Sequence, residues 1–424
     1  MSTCEELVQT KEYAYIWLQR LLGIGSATAF EVLRQPTSPQ KLCRMTRVEL
    51  KQTGLFAERE LARLDRIDPE SIAQTVRYCR AHEIRIITPE DAEYPDRFRE
   101  IESPPVVLYA RGLPLEQNAP AIAIVGTRKS SEFGDRAAYS LSARLAASGF
   151  TVVSGGALGI DRMAHIGAMN AGGNTVVILG CGIDSGYLRA QEPMRKRAER
   201  QGTVLSEMEP KTPAARYTFP VRNRLISALS GGVAVIEAGH KSGALITATY
   251  AMEQGREIFA VPGNIDLPQY AGTNELIRDG AVPLLSAQDI VEVYIGRFPD
   301  KLKADASLSP AVKQGYAAAR LEPKPSAPKK ASPRAGAKPK KKNEKTAAAA
   351  EETAVIKPDE TPEKLLLCSA PAKRIYEAFA EQTELSDVLS ARSGISGGAF
   401  IAAVTELELN GLVTAVPVGR YCKK

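Results

Sequence analysis

The sequence predicts an α/β protein: a doubly wound, mostly parallel sheet, preceded by a helical domain and followed by a small tail domain. Three observations carry this expectation. Six Val/Ile-rich runs recur through the middle of the chain about every 25–30 residues, with helix-length stretches between them. The first 78 residues show helical apolar spacing and no such runs. A Pro/Lys/Ala-rich stretch then separates the body from a tail with its own helix and hairpin signals. The expected segments are 1–78, 79–297, 298–361 and 362–424. At roughly 150 residues per domain, a chain of 424 residues suits that division.

In the N-terminal segment, Tyr13–Leu22 and Ser26–Leu33 are apolar-periodic and are joined by Gly23-Ile24-Gly25. A Gly-apolar-Gly turn between two short helices is the helix-hairpin-helix signature. Its glycines let backbone N–H groups approach a phosphate. The competing reading is a tight structural turn that contacts nothing.

The runs at 121–126, 150–155, 174–180, 203–207, 232–238 and 257–263 lack polar alternation. Strands of that kind are buried on both faces, which implies a parallel sheet between two helix layers. This is a Rossmann-like arrangement, in which right-handed crossovers bring every strand's C-terminal end to one rim. Residues 298–361 carry no apolar periodicity and are expected to be a flexible linker. In the tail, Ala372–Ala380, Leu385–Ser390 and Gly398–Asn410 read as helices and AVPVGRYCK as a hairpin. Three helices with a wing make a winged helix-turn-helix. Its third helix has no Lys or Arg and two glutamates, which favours protein contact or weak binding over major-groove readout.

Composition excludes several classes. The cysteines at 4, 43, 79, 181, 368 and 422 form no CxxC pair, and three scattered histidines (His82, His165, His240) do not make a metal site. The N-terminus has no apolar signal region, and the longest uncharged stretch, 163–183, is too rich in Gly and Asn to span a membrane, so a cytoplasmic protein is expected. The net charge of +6 is unevenly placed. Residues 324–345 alone carry nine Lys/Arg and one Glu, so the remainder of the chain is slightly acidic. Any nucleic-acid affinity must come from local clusters, and the Lys-rich run is as well explained by a solvated spacer as by a DNA-contacting arm.

The rim supplies such a cluster. Small residues end the strands (Gly126-Thr127-Arg128, Ser154-Gly155-Gly156, Gly180-Cys181-Gly182), and cations follow: Arg128, then Arg222 and Arg224 in FPVRNR, then Lys241 in HKSG. Phe219, with Tyr217 nearby, offers a stacking face or else fills core. The segment GTRKSSEFG is not a dinucleotide fingerprint, and HKSG lacks Walker A framing. Cations spread over several strand ends suit a chain of phosphates, and phosphates with an aromatic platform mean a single-stranded nucleic acid. The competing reading has the arginines capping helices or pairing with Glu207 and Glu237. A nucleophile–base reading of Ser154 with Asp161 and His165 is weaker than phosphate binding and capping.

The blocks IVGTR, VVSGGALGID, LGCGID, FPVRNRLISALS, HKSGALITA, EQGREIFAVPG and GTNELIRDGA, together with PPVVLYARG at 104–112, resemble the DNA-processing protein A (DprA/Smf) family. The resemblance runs from Ile122 through Leu285 in the family's order. It implies an extended Rossmann-like fold, a sterile-alpha-motif-like N-terminal module and a C-terminal winged helix. It also implies a non-catalytic, cofactor-free, homodimeric protein that binds single-stranded DNA and loads the RecA recombinase in natural transformation. By resemblance the DNA pocket maps onto Arg128, Ser154, Gly155, Phe219, Arg222, Asn223, Arg224, Lys241 and Ser242. The family's basic residue in the SGGA loop is Leu158 here, and Arg162, one turn on, is expected to restore that charge. The tyrosine-proline after GCGID is Tyr187-Leu188. The alternative is a nucleotide phosphoribohydrolase-like enzyme, whose glutamate-bearing helix start is missing from HKSGALITA.

Overall fold

The computed structural model describes residues 4–187, 189–304, 307–321, 365, 368–380, 383–409, 412–416 and 420–423. Residues 1–330 form one unit and 331–424 another.

All six anticipated strands form, slightly shorter than their apolar runs: β3 (Ala121–Val125), β4 (Thr151–Ser154), β5 (Thr175–Leu179), β6 (Thr203–Ser206), β7 (Gly232–Val235) and β8 (Glu257–Ala260). They are parallel and lie in the order β6-β5-β4-β3-β7-β8. Three further strands complete a nine-stranded sheet. β1 (Arg85–Ile87) and β2 (Leu108–Gly112) add antiparallel beyond β6, and the two-residue β9 (Val282–Pro283) adds beyond β8. The sheet is therefore mixed but mostly parallel.

The absence of polar alternation is explained by two cores. Ile122, Ile124, Val152 and Val177 face one layer, while Ala123, Val125, Val153 and Ile178 face the other. Because side chains alternate across a strand, both sets must be apolar. The first layer holds the helices after β3, β4 and β5. The second holds the helices that precede and follow β7. Chain direction thus reverses after β6: the strands wind outward from β3, then return to add β7 on its other side. Such a switch point leaves a crevice at the strands' C-terminal ends.

The N-terminal helices pack on the first layer. α1 (Lys11–Leu22) starts at Thr10, whose hydroxyl accepts from the Tyr13 N–H at 3.3 Å, and buries nine side chains. Gln19 donates to the Glu207 carbonyl at 2.9 Å, and Arg20 grips Glu209 with two bonds of 2.8 and 2.9 Å. α2 is Thr28–Leu33.

The expected linker 298–361 needs correction at its start. Residues Pro310–Leu321 form a helix packed on the body. Tyr139 donates to the Val312 carbonyl at 2.7 Å, and Val312 and Ala319 are buried. Residues 322–364 lie outside the described residues.

The tail unit runs helix Ala370–Glu377, β10 (Thr383–Leu385), helix Ser386–Ser393, helix Gly397–Leu409, β11 (Val413–Val416) and β12 (Arg420–Lys423). Its three strands pair antiparallel in the order β10-β12-β11 around a small core that includes Ile375, Leu389 and Leu407. Residues 417–419, within the hairpin expected over AVPVGRYCK, lie outside the described residues.

Candidate nucleic-acid interface

At the switch point between β3 and β7 lies a cavity of about 390 Å³. Arg128 and Lys129 reach it from the end of β3. Phe219, Arg222 and Asn223 reach it from the first turns of the helix Thr218–Leu229, and Ser242 from the start of the helix Gly243–Glu253. The β3 loop is held in place from below. Glu237, buried at the end of β7, accepts the Thr127 N–H on its carbonyl at 2.8 Å and the Ser131 N–H on its carboxylate at 2.9 Å. Arg128 and Lys129 stand exposed between those anchors.

The Arg128 guanidinium sits 4.7 Å from the centre of the Phe219 ring. Phe219 is half-buried, with Tyr187 tilted against it at 5.4 Å. Gly180 permits this placement, since a Cβ there would come within 2.8 Å of the ring. Phe219 is therefore both a packed residue and part of the crevice lining.

Arg222 is the fixed charge of the floor. It is only 5% exposed, donates to the carbonyls of Gly155 (2.8 Å) and Ile178, and bonds the Asn223 side chain at 3.2 Å. Burial lowers its pKa to about 10, partly opposed by Asp161, so it stays protonated at neutral pH. Asp161 accepts the Ala157 N–H at 3.3 Å, and burial raises its carboxyl pKa against the pull of Arg222. Ser242 caps the helix at 243, its hydroxyl accepting the Ala244 N–H at 3.3 Å. No acidic residue lies in that helix's first turn, which leaves its positive end unopposed.

The other expected residues sit elsewhere. Arg224 turns away. It is 3% exposed, pairs with Glu207 at 2.7 Å and bonds Ser103 at 3.1 Å, which realises the competing reading for this one arginine. Ser154 is buried and gives its proton to the Ile124 carbonyl at 2.6 Å, and Gly155 offers its carbonyl to Arg222, so both support the floor from behind. Lys241 is exposed beside Ser242 without lining the cavity. Arg162 lines an adjoining cavity of about 320 Å³ that also touches Leu158, Arg128 and Lys129, and it donates to the Ala319 carbonyl at 3.1 Å. Lys129, part of the same rim segment as Arg128, was not singled out. Its place beside Arg128 in GTRKS was the available signal.

The nucleophile–base geometry does not form. His165 faces Thr175 at 2.7 Å, and Thr175 donates to the Val152 carbonyl. The imidazole therefore carries its proton on Nδ1, and burial lowers its pKa to about 3. Among the described residues no cluster of His, Cys, Asp and Glu suits a metal ion, and no helix is long and apolar enough to cross a membrane.

The family described as DNA recombination-mediator protein A matches residues 85–295. The chain is similar to the DNA processing protein DprA of Bacillus subtilis, with 36% identity over 60% of this chain and 84% of the relative. It is similar to the protein Smf of Synechocystis, with 32% identity over 80% of each. It also resembles the X-ray structure of DNA processing protein A from Streptococcus pneumoniae, with a TM-score of 0.57 and 30% identity, covering 66% of this chain and 97% of that one. The doubly wound sheet, the basic crevice at its switch point and these likenesses agree: the chain belongs to the DprA/Smf family of DNA-processing proteins.

Proposed function

We propose that the protein is a non-catalytic mediator that binds single-stranded DNA in the switch-point crevice and loads the RecA recombinase onto it during natural transformation. One observation carries the reading: Arg128, Lys129, Phe219, Arg222 and the helix end at Ser242 converge on one crevice. Exposed guanidinium and ammonium groups meet the phosphates, the buried Arg222 sets a constant positive potential, and Phe219 offers a base a ring face. Every base has such a face, so the binding is insensitive to sequence. In this reading the core contacts are Arg128, Phe219, Arg222, Asn223 and Ser242. Lys241 and Arg162 flank them, and Ser154, Gly155 and Arg224 hold the frame.

The family supports the RecA role, and we read the protein as cytoplasmic and cofactor-free. A homodimer is supported by exposed apolar side chains near the β8–β9 edge: Leu285, 77% exposed, and Phe133 line one open cavity there. We read the N-terminal helices as the sterile-alpha-motif-like module. The tail's helix-strand-helix-helix-strand-strand order supports a winged helix. A hydrolase reading finds no support in Ser154 and His165: the Ser154 hydroxyl is spent on the Ile124 carbonyl, and the imidazole bonds Thr175 through Nδ1 rather than the serine.

Arg128→Glu tests the reading. The residue is exposed, so folding is spared, while the reversal places a carboxylate beside the ring. Affinity for oligo-dT should fall by at least roughly tenfold, a difference of about 1.4 kcal/mol. Unchanged affinity in a fluorescence-anisotropy titration would remove the crevice from the argument.

A further inference from the structure

The Gly23-Ile24-Gly25 turn faces a second cavity, of about 570 Å³, between the N-terminal helices and the Rossmann-like body. Its lining includes Arg20, Arg59, Arg63, Glu209 and Tyr217. Three arginines against one glutamate leave it positive. Two of the three are committed. Arg20 is held by Glu209, and Arg63 packs over Gly23 and donates to the carbonyls of Leu21 (3.0 Å) and Leu22 at the end of α1. Arg59 is exposed and has no partner among the described residues.

The turn itself is not a closed structural knot. Gly23 and Gly25 hold φ of 78° and 74°, which favours glycine. The Gly23 N–H closes α1 onto the Gln19 carbonyl at 2.7 Å. The N–H groups of Ile24 and Gly25 find no acceptor among the described residues. Unpaired backbone donors in a cation-lined cavity are what an anionic oxygen would satisfy.

This cavity adjoins the crevice. Gly25 lies so close to Val221 that a Cβ would approach that side chain to 2.9 Å. Val221 is on the helix whose other side chains, Phe219, Arg222 and Asn223, line the crevice. Tyr217, two residues before Phe219, lines the second cavity and is 73% exposed. Two residues span at most about 7 Å between α-carbons, so the backbone carries Tyr217 in one cavity and Phe219 in the other over a single short step.

We propose that the Gly23-Ile24-Gly25 cavity is a second binding site for single-stranded DNA, reached from the crevice over Tyr217. Ile24 and Gly25 N–H groups and Arg59 take the phosphates, and Tyr217 stacks a base. The inference rests on the crevice being the first site, and it lengthens the strand the protein covers.

The test uses full-length protein with thymidine oligomers of about six and about twenty-five nucleotides, on either side of the roughly 4–16 nucleotides that one single-strand-binding module covers. Arg59→Glu and Tyr217→Ala alter exposed side chains, so a melting scan should match wild type. Both variants should bind the long oligomer at least about tenfold more weakly and the short one unchanged. The salt slope for the long oligomer should become shallower by roughly 0.7 for Arg59→Glu. If both variants bind the long oligomer as wild type does, the second site is wrong. If Arg59→Glu weakens duplex but not single-stranded binding, the ligand class is wrong and the proposal falls. Arg128→Glu, run alongside, keeps the two readings apart: it should weaken both oligomers, and if it weakens neither, the crevice itself is at fault.

Discussion

Arg222 and Arg224 stand two positions apart on one helix, and residues at that spacing do not share a face. Arg222 enters the crevice floor, whereas Arg224 is buried against Glu207. The two should therefore fail differently. Arg224→Ala leaves Glu207 charged and unpaired in the interior, a loss of roughly 3–5 kcal/mol for a buried pair. Urea melts should show that loss, while oligo-dT affinity of the folded fraction stays near wild type. A stable Arg224→Ala protein with abolished binding would return Arg224 to the interface. His165 makes a second residue-scale prediction. Its folded pKa of about 3 lies below the ordinary 6.5, so the unfolded chain binds the extra proton between those values. Stability from this group is complete above about pH 6.5 and is lost as pH falls toward 3, by up to about 1.4 kcal/mol per pH unit. His165→Gln, which cannot take up that proton, should flatten the acid limb of a urea-midpoint profile. An unchanged limb would assign the acid sensitivity to other groups.

At the scale of elements, legibility followed burial pattern. The six central strands were readable because both faces are covered, which forces unbroken Val/Ile runs. The crevice was readable because topology puts the residues after each strand on one rim. What could not be read was side-chain direction. FPVRNR shows two arginines, but only the helix phase tells which of them meets Glu207. The helix Pro310–Leu321 was illegible for a different reason. Its composition is that of a linker, and its order comes from tertiary contacts: Tyr139 to Val312, the Tyr316 ring 5.6 Å from Tyr139, and Arg162 to Ala319. Tyr139 makes two of those contacts, so the helix should depend on it. Tyr139→Phe removes the bond to Val312 and the acceptor for Asn170, at about 0.5–1.5 kcal/mol per buried hydrogen bond. Amide exchange across 310–321 should quicken in that variant while β3–β5 stay protected. Equal protection would show that the helix is held by packing alone.

For the whole molecule, charge distribution separates two sources of DNA affinity. The net +6 comes from residues 324–345, and the rest of the chain is slightly acidic. If affinity followed net charge, removing the basic run would abolish it. The crevice argues otherwise, since Arg128, Lys129, Arg222 and the flanking Lys241 all lie before residue 330. Potential near a strand is set by charges within a Debye length, about 8 Å at physiological salt, and not by the chain's sum. Each single-strand phosphate neutralised contributes about −0.7 to the slope of log affinity against log salt. Four cations then give a slope of roughly −3. A chain cut after residue 321 keeps the body and the packed helix but loses the basic run and the tail. It should bind oligo-dT with that same slope in a titration from low to high salt. A slope collapsing toward zero on truncation would move the electrostatic contact from the crevice to the basic run, whereas a retained slope leaves that run as a spacer between two units.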